Sequence, residues 1–466
     1  MSRILIRGGT IVTDGRTFQG DILVEGETIT AVGERISKPA ALDRVVDAAG
    51  LEVFPGGVDP HVHCELATPA GTSSDDFASG TRAALAGGTT TVIDFVTPGR
   101  DESLLAALAA RKDAARKSMC DYGLHMSVTA WNDRTLAELE ACCRQEGIAS
   151  VKTYLAYKET IGLQDKEFLA VLDAARRLRF LPMVHAESGD MVSYLQGKLL
   201  AEGKAAACYH PFSRPPEVEG DAVSRALLMA RLAGVPLYIV HVSSRQGIEA
   251  VGAARQAGQA VIAETCPQYL FLDEGRYQKG GDAAAAAVMS PPLRHREHQA
   301  ALWQGLAVGL VQALGSDHCP FSLDDKRRHA AADFTKVPGG TGGIEYRLPL
   351  LYTFGVRAGR ITLPRFVDLV ATRSAKIFGF YPRKGTIRPG SDADLVIWDP
   401  AKKWTVAAAG QWQRCDHTLY EGLELHGAPR LVFSRGTAVF ADGKIEAEPG
   451  RGAWLGGKRG SDGAWH

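Results

Sequence analysis

Eight short apolar runs, spaced along residues 57–316 and separated by Ala/Leu/Arg-rich stretches, constrain the fold of this chain more than any other feature. The runs are Gly57-Val-Asp, Thr89-Thr-Thr-Val-Ile-Asp-Phe, Leu124-His-Met-Ser-Val-Thr, Ser150-Val-Lys-Thr-Tyr-Leu, Leu181-Pro-Met-Val-His, Pro236-Leu-Tyr-Ile-Val-His, Ala260-Val-Ile-Ala-Glu and Val311-Gln-Ala-Leu-Gly-Ser. Each is short and apolar on both faces, which suits a strand buried in a parallel sheet. The stretches between them read as helices, for example Glu102 to Lys117 and Asp165 to Leu178. Repeated βα units predict an α/β fold, and this number of them predicts a (β/α)8 barrel of the TIM type. The rival is an open, doubly wound sheet. It calls for a glycine-rich phosphate-binding turn after the first strand, and none is present.

The two ends of the chain read differently. Ile4-Leu-Ile, Gly9-Thr-Ile-Val-Thr, Asp21-Ile-Leu-Val and Thr28-Ile-Thr-Ala-Val lie between turn signals such as Asp14-Gly15 and Glu25-Gly26. Ala393-Asp-Leu-Val-Ile-Trp, Leu431-Val-Phe and Thr437-Ala-Val-Phe repeat the style, with Asp442-Gly443 as a hairpin turn. Neither end holds much core alone. We therefore expect residues 1–55 and 380–455 to build one smaller β-sandwich domain, residues 56–379 the barrel, and residues 456–466 a tail.

The bulk properties exclude several classes. Basic and acidic residues balance at 53 each, which argues against nucleic acid or an anionic membrane as partner. There is no signal-peptide pattern and no apolar run long enough to span a bilayer. The eight cysteines are scattered without a CxxC pair. A reduced, cytoplasmic protein with ordinary thiols is the expectation.

Polar residues fall at the ends of the predicted strands. His61-Val-His63 follows the first, Lys152 lies in the fourth, His185 ends the fifth, His241 the sixth, and Asp317 follows the eighth. A barrel places its chemistry at strand C-terminal ends. His61 and His63, two apart in extended chain, point to the same side and can reach one ion. A lone histidine such as His125, His210 or His426 is more often satisfied or exposed than a ligand. Four histidines and an aspartate at successive strand ends of one barrel instead predict a metal centre. Lys152 admits two readings. It is salt-bridged, with Asp94 or Glu264 as partner. Alternatively, nearby cations depress its pKa, and the neutral amine adds CO2 to become a carbamate able to bridge two ions.

His61-Val-His63, Ser150-Val-Lys152-Thr-Tyr-Leu-Ala-Tyr157, Val184-His185-Ala-Glu, Ser213-Arg-Pro-Pro-Glu217, Val240-His241-Val-Ser-Ser, Met289-Ser290-Pro-Pro-Leu-Arg294 and Gly315-Ser-Asp317-His-Cys-Pro-Phe321 resemble the dihydropyrimidinase/hydantoinase family of cyclic amidohydrolases. Gly385-Thr-Ile-Arg-Pro-Gly-Ser-Asp-Ala-Asp394 is similar to the β-sandwich segment of the wider amidohydrolase superfamily. The resemblance runs in order over nearly the whole chain. It implies an enzyme that opens the cyclic amide of a dihydropyrimidine or 5-substituted hydantoin, giving an N-carbamoyl amino acid. It implies two divalent ions, usually zinc: His61, His63 and Asp317 on one, His185 and His241 on the other, and carbamylated Lys152 bridging them with a hydroxide that acts as nucleophile. Asp317 would shuttle the proton, Tyr157 would steady the oxyanion, and the backbone of Ser290 and Gly339 would hold the ring. A homotetramer is implied as well.

The alternatives are an allantoinase-like enzyme and a non-catalytic scaffold relative. Relatives that open dihydroorotate or allantoin carry arginine two residues after the HxH. Here Glu65 stands there, and its charge would repel dihydroorotate. The scaffold reading requires lost ligands, whereas every ligand position is filled.

Overall fold

The computed structural model describes residues 2–37 and 41–457. The predicted strands form one parallel sheet in chain order: Gly57–Val62, Thr89–Val96, Asp121–Ser127, Ser150–Tyr154, Leu181–His185, Leu237–Ile239, Val261–Thr265 and Ala313–Leu314. A parallel bridge from Val62 to His318 joins the first strand to the chain leaving the last, so the sheet closes. That closure rules out the open doubly wound sheet. Fully buried Arg347 reinforces the seam, donating to Leu314 O at 2.9 Å and Thr89 Oγ1 at 3.0 Å, with Asp59 at 3.4 Å.

Helices cover the barrel where expected. Asp165–Leu178 has the predicted bounds, and a capping box between Gln164 and Glu167 satisfies its first amides. The other starts at Leu104 because Ser103 caps it, and it ends at Ala115.

Both chain ends enter a second, nine-stranded sheet. The runs at Ile4 and Gly9 are one strand, Arg3–Val12, with a bulge between Ile6 and Gly9 that keeps apolar residues on the same side across the irregularity. The ends meet where Glu52–Pro55 pairs antiparallel with Leu395–Thr405, Val53 opposite Ile397. Ile4, Ile22 and Ile29 from the N-terminal arm share a core with Leu395, Ile397 and Phe433 from the C-terminal arm. The other face, through Phe54, Trp398 and Phe440, joins the barrel core. Within the stretch expected to be a tail, Gly457 N still bonds Gly147 O at 2.9 Å; residues 458–466 lie outside the described residues.

No helix among the described residues is long and apolar enough to cross a membrane. None of the eight cysteines is joined in a disulfide among the described residues.

Candidate active site

The barrel carries His61, His63, Lys152, His185, His241 and Asp317 to one wall-and-floor region of a cavity of about 770 Å³, together with Tyr157, Ser290 and Gly339. Every residue singled out from the sequence as a site candidate therefore lines the same space. Three of them sit in left-handed backbone: Tyr157 at φ 57°, His241 at φ 37° and Asp317 at φ 50°. Such conformations cost energy in residues other than glycine and persist where the surroundings over-determine them.

His61 and His63 each place Nε2 at 3.3 Å from the same oxygen of Asp317, Oδ1. His61 uses Nδ1 on Glu264 Oε1 at 2.7 Å. With the proton on Nδ1, Nε2 presents a lone pair; it is buried and has no hydrogen-bond partner. Burial holds His61 well below the ordinary histidine value. Although burial opposes its ionisation, the neighbouring imidazoles hold Asp317 well below the usual carboxylate range. A neutral nitrogen lone pair thus faces a carboxylate oxygen, an arrangement that a cation between them resolves.

The second pair repeats the logic. His185 Nδ1 and His241 Nε2 converge at 2.9 Å, and His185 Nε2 meets Glu187 Oε2 at 2.7 Å. Burial lowers both imidazoles below their ordinary value. Glu264 accepts from His61, from Tyr238 Oη at 2.7 Å and from His241 N at 3.1 Å, tying the two histidine pairs to one carboxylate.

Lys152 is fully buried, its Nζ 4.9 Å from the ring of Phe95 and 5.3 Å from that of Tyr154. Burial pulls its pKa down to about 8. Neither suggested partner takes it in an ion pair. Asp94 is engaged by Arg111 and by the amide of Cys64, and Glu264 by the groups above. The salt-bridged alternative therefore has no support among the described residues, and burial shifts the balance toward the neutral amine compared with an exposed lysine.

Tyr157 lies over His185, ring centroids 5.3 Å apart, with the Arg214 guanidinium 5.2 Å from its own ring. Burial raises its phenol, so it stays protonated and able to donate. The turn that holds it needs Gly162, because a Cβ there would lie 2.1 Å from Ala156 O. Gly339 sits beside Ser290, and a Cβ on it would make only ordinary contacts.

Glu187 and Arg214 are not among the site candidates of the sequence, and Glu264 enters there only as a possible partner of Lys152, not as the partner of the histidines. Glu187 and Arg214 stood inside the quoted motifs, which was the available signal; the ion pair that joins them emerges only in space. The lone histidines behave as expected. His125 is buried between Ser150 Oγ at 2.5 Å and Pro60 O at 3.0 Å, and His426 is half-buried. His210 is buried on Met289 O at 2.8 Å, though it also lines the cavity. Glu65 needs a correction of role. It pairs with Lys117 at 2.6 Å, and the cavity lining takes His63 and Leu66 but not Glu65, so its charge is not turned on a substrate.

The amidohydrolase family model matches residues 53–439. The chain belongs to the amidohydrolase family. Within that family it is 42% identical over 452 residues to a D-hydantoinase of Geobacillus stearothermophilus, covering 97% of this chain and 96% of that one. It is 38% identical over 459 residues to the dihydropyrimidinase of Rattus norvegicus, covering 97% and 88%. The crystal structure of a dihydropyrimidinase from Brevibacillus agri NCHU1002 superposes with a TM-score of 0.96 at 40% identity, over 98% of each chain. This amidohydrolase is a cyclic amidohydrolase of the hydantoinase and dihydropyrimidinase type.

Proposed function

We propose that this amidohydrolase hydrolyses the cyclic amide bond of dihydropyrimidines or 5-substituted hydantoins and releases N-carbamoyl amino acids. The observation that supports this best is the sharing of Asp317 Oδ1 by His61 and His63, both at 3.3 Å, beside the convergent pair His185 and His241. The donor set fits two divalent cations: His61, His63 and Asp317 would hold one, His185 and His241 the other. Lys152 would bridge them as a carbamate, which removes a buried charge and supplies an anionic ligand. When bound, the ions supply Lewis acidity and a water nucleophile ionised near neutral pH. Zinc suits these ligands best.

The protein groups then divide the work. Glu264 and Glu187 fix the tautomers of His61 and His185. The backbone of Ser290 and Gly339 holds the ring edge-on. Tyr157 Oη donates to the oxygen that gains charge as the carbonyl becomes tetrahedral. An Asp317 carboxylate oxygen takes the proton of the attacking water and passes it to the ring nitrogen as the C–N bond breaks. One water is consumed and one amide bond is lost. A homotetramer belongs to the same proposal; Tyr194, Phe212 and Leu232 are apolar side chains left exposed on the helical surface for such an assembly.

The test is metal content and ring opening on one preparation, with dihydrouracil, 5-phenylhydantoin and allantoin side by side. About two ions per chain with turnover of the first two supports the proposal. Turnover of allantoin alone replaces it with the allantoinase-like reading. No turnover after reconstitution with zinc and bicarbonate overturns it.

A further inference from the structure

The cavity is too large for a ring alone. At about 770 Å³ it stands in the upper part of the range for ligand pockets, about 300–1,000 Å³, so a substituent fills the remainder. Its lining is electrostatically lopsided. Asp317, which faces the histidines, is the one carboxylate among the lining residues. The lining includes an apolar and neutral stretch from Leu66 to Ala70, with Ile161, and three basic residues, Arg328, His329 and Lys336, that are partly or largely exposed.

Those three positions are built rather than loose. Arg328 and His329 occupy the last turn of the helix Leu323–Ala330, which Ser322 caps by accepting from Asp325 N at 3.0 Å. Lys336 ends a short 3-10 turn, Phe334–Lys336, capped by Asp333 through Thr335 N at 2.8 Å. Phe334 is buried edge-on against the His210 ring, centroids 6.2 Å apart, and its amide bonds Ala205 O at 2.8 Å. Basic residues in a last helical turn suit the helix dipole, and Arg328 also meets Asp324 at 2.9 Å across one turn. That accounts for Arg328 in part. It does not account for Lys336, which is not on the helix, or for the facing of all three onto the cavity. Among the described residues, neither His329 nor Lys336 has an ionic partner.

We propose that the preferred substrate carries an anionic group, a carboxylate, at the end of a flexible spacer on the ring, and that Arg328, His329 and Lys336 receive it at the cavity mouth. This rests on the ring-opening reading above and names its substrate class. The carboxylate needs a spacer because the rim side chains are partly or largely exposed, whereas His61, Lys152, His185 and His241 around Asp317 are buried. Glu65 does not oppose such a substrate, since Lys117 takes its charge.

The experiment compares 5-(2-carboxyethyl)hydantoin with its 5-(2-carbamoylethyl) isostere on the metal-loaded enzyme, in turnover and in equilibrium binding. Expected is a kcat/KM and an affinity for the acid about tenfold above the amide at low ionic strength. The gap should shrink as salt is raised toward 1 M, where screening acts within about 3 Å. In R328Q/K336Q the acid-to-amide ratio should fall toward one. Equal values for acid and amide in the wild-type enzyme, or a ratio unmoved in the double variant, would overturn the proposal. Binding separates the two readings: a preference for the acid without hydrolysis of any ring compound sinks the ring-opening activity and leaves the anionic rim standing.

Discussion

Lys152 and Tyr157 separate cleanly by what each removal should cost. Lys152→Ala takes away a side chain buried against Phe95 and Tyr154 without an ion pair to break. Stability should change by at most about 2 kcal/mol, while bound metal and activity are both lost; atomic absorption and circular dichroism on one sample check this. Tyr157→Phe should leave metal content unchanged and lose about 100- to 1,000-fold in kcat, as for loss of one oxyanion donor. A variant with full kcat would remove Tyr157 from the chemistry. Lys326 gives a pH prediction away from the histidines. It is fully buried, donates to Val288 O at 2.8 Å, and burial pulls it down to about 7. An unfolded lysine keeps its proton up to about 10.4. The unfolded state therefore binds more protons across that window, so stability rises with pH through it and is lost as pH falls toward 7. Lys326→Met should flatten this slope in urea melts at pH 7, 8.5 and 10.

At the level of elements, the turn from Ser150–Tyr154 into Asp165–Leu178 sets the position of Tyr157. Its carbonyl accepts from Thr160, Ile161 and Gly162 at 2.8–3.2 Å, and Gly162 packs against Ala156 O with no room for a methyl. Gly162→Ala should destabilise by about 1–3 kcal/mol and lower kcat by displacing Tyr157, while metal content stays near wild type. Thermal melts with metal analysis decide it. The strand bearing Lys152 is readable because Ser150-Val-Lys-Thr-Tyr is short, rich in strand-forming Val, Thr and Tyr, and buried throughout, as a parallel barrel strand requires. The short strands Leu237–Ile239 and Ala313–Leu314 were overextended in the sequence reading. His241 and Asp317 lie beyond their ends in left-handed backbone, which periodicity does not encode.

Across the whole molecule, a buried cation ties the terminal sheet to the barrel. Lys384 Nζ lies 2.5 Å from Asp121 on a barrel strand and 2.8 Å from both Asp392 and Asp394 near the sheet. Asp394 also accepts from Thr90 Oγ1 at 3.0 Å and from Arg435 N at 2.7 Å. Lys384→Met would leave Asp394 without a cation, while Arg435 stays at 3.3 Å from Asp121 and Arg383 at 2.9 Å from Asp392, and should cost about 3 kcal/mol, read in equilibrium unfolding. A loss below about 1 kcal/mol would show that the joint rests on the apolar contacts of Phe54 and Trp398 instead.

The sequence by itself determined the barrel, the use of both chain ends in a second sheet, and the residues brought to the cavity. The barrel, the second sheet and the strand-end His61, His63, Lys152, His185, His241 and Asp317 follow from local rules: short apolar runs, helical spacing, turn residues, and polar side chains at strand ends; Tyr157, Ser290 and Gly339 came only through the family resemblance of their motifs. The partners of those residues were decided only in the tertiary structure. That Glu264 serves His61 and His241, that Glu187 links His185 to Arg214, that Glu65 turns to Lys117 and that Lys152 has no carboxylate are outcomes of long-range packing. A charge's neighbours, and hence its pKa and its reach toward a substrate, depend on burial and distances between segments far apart in the chain, and no local pattern carries that information.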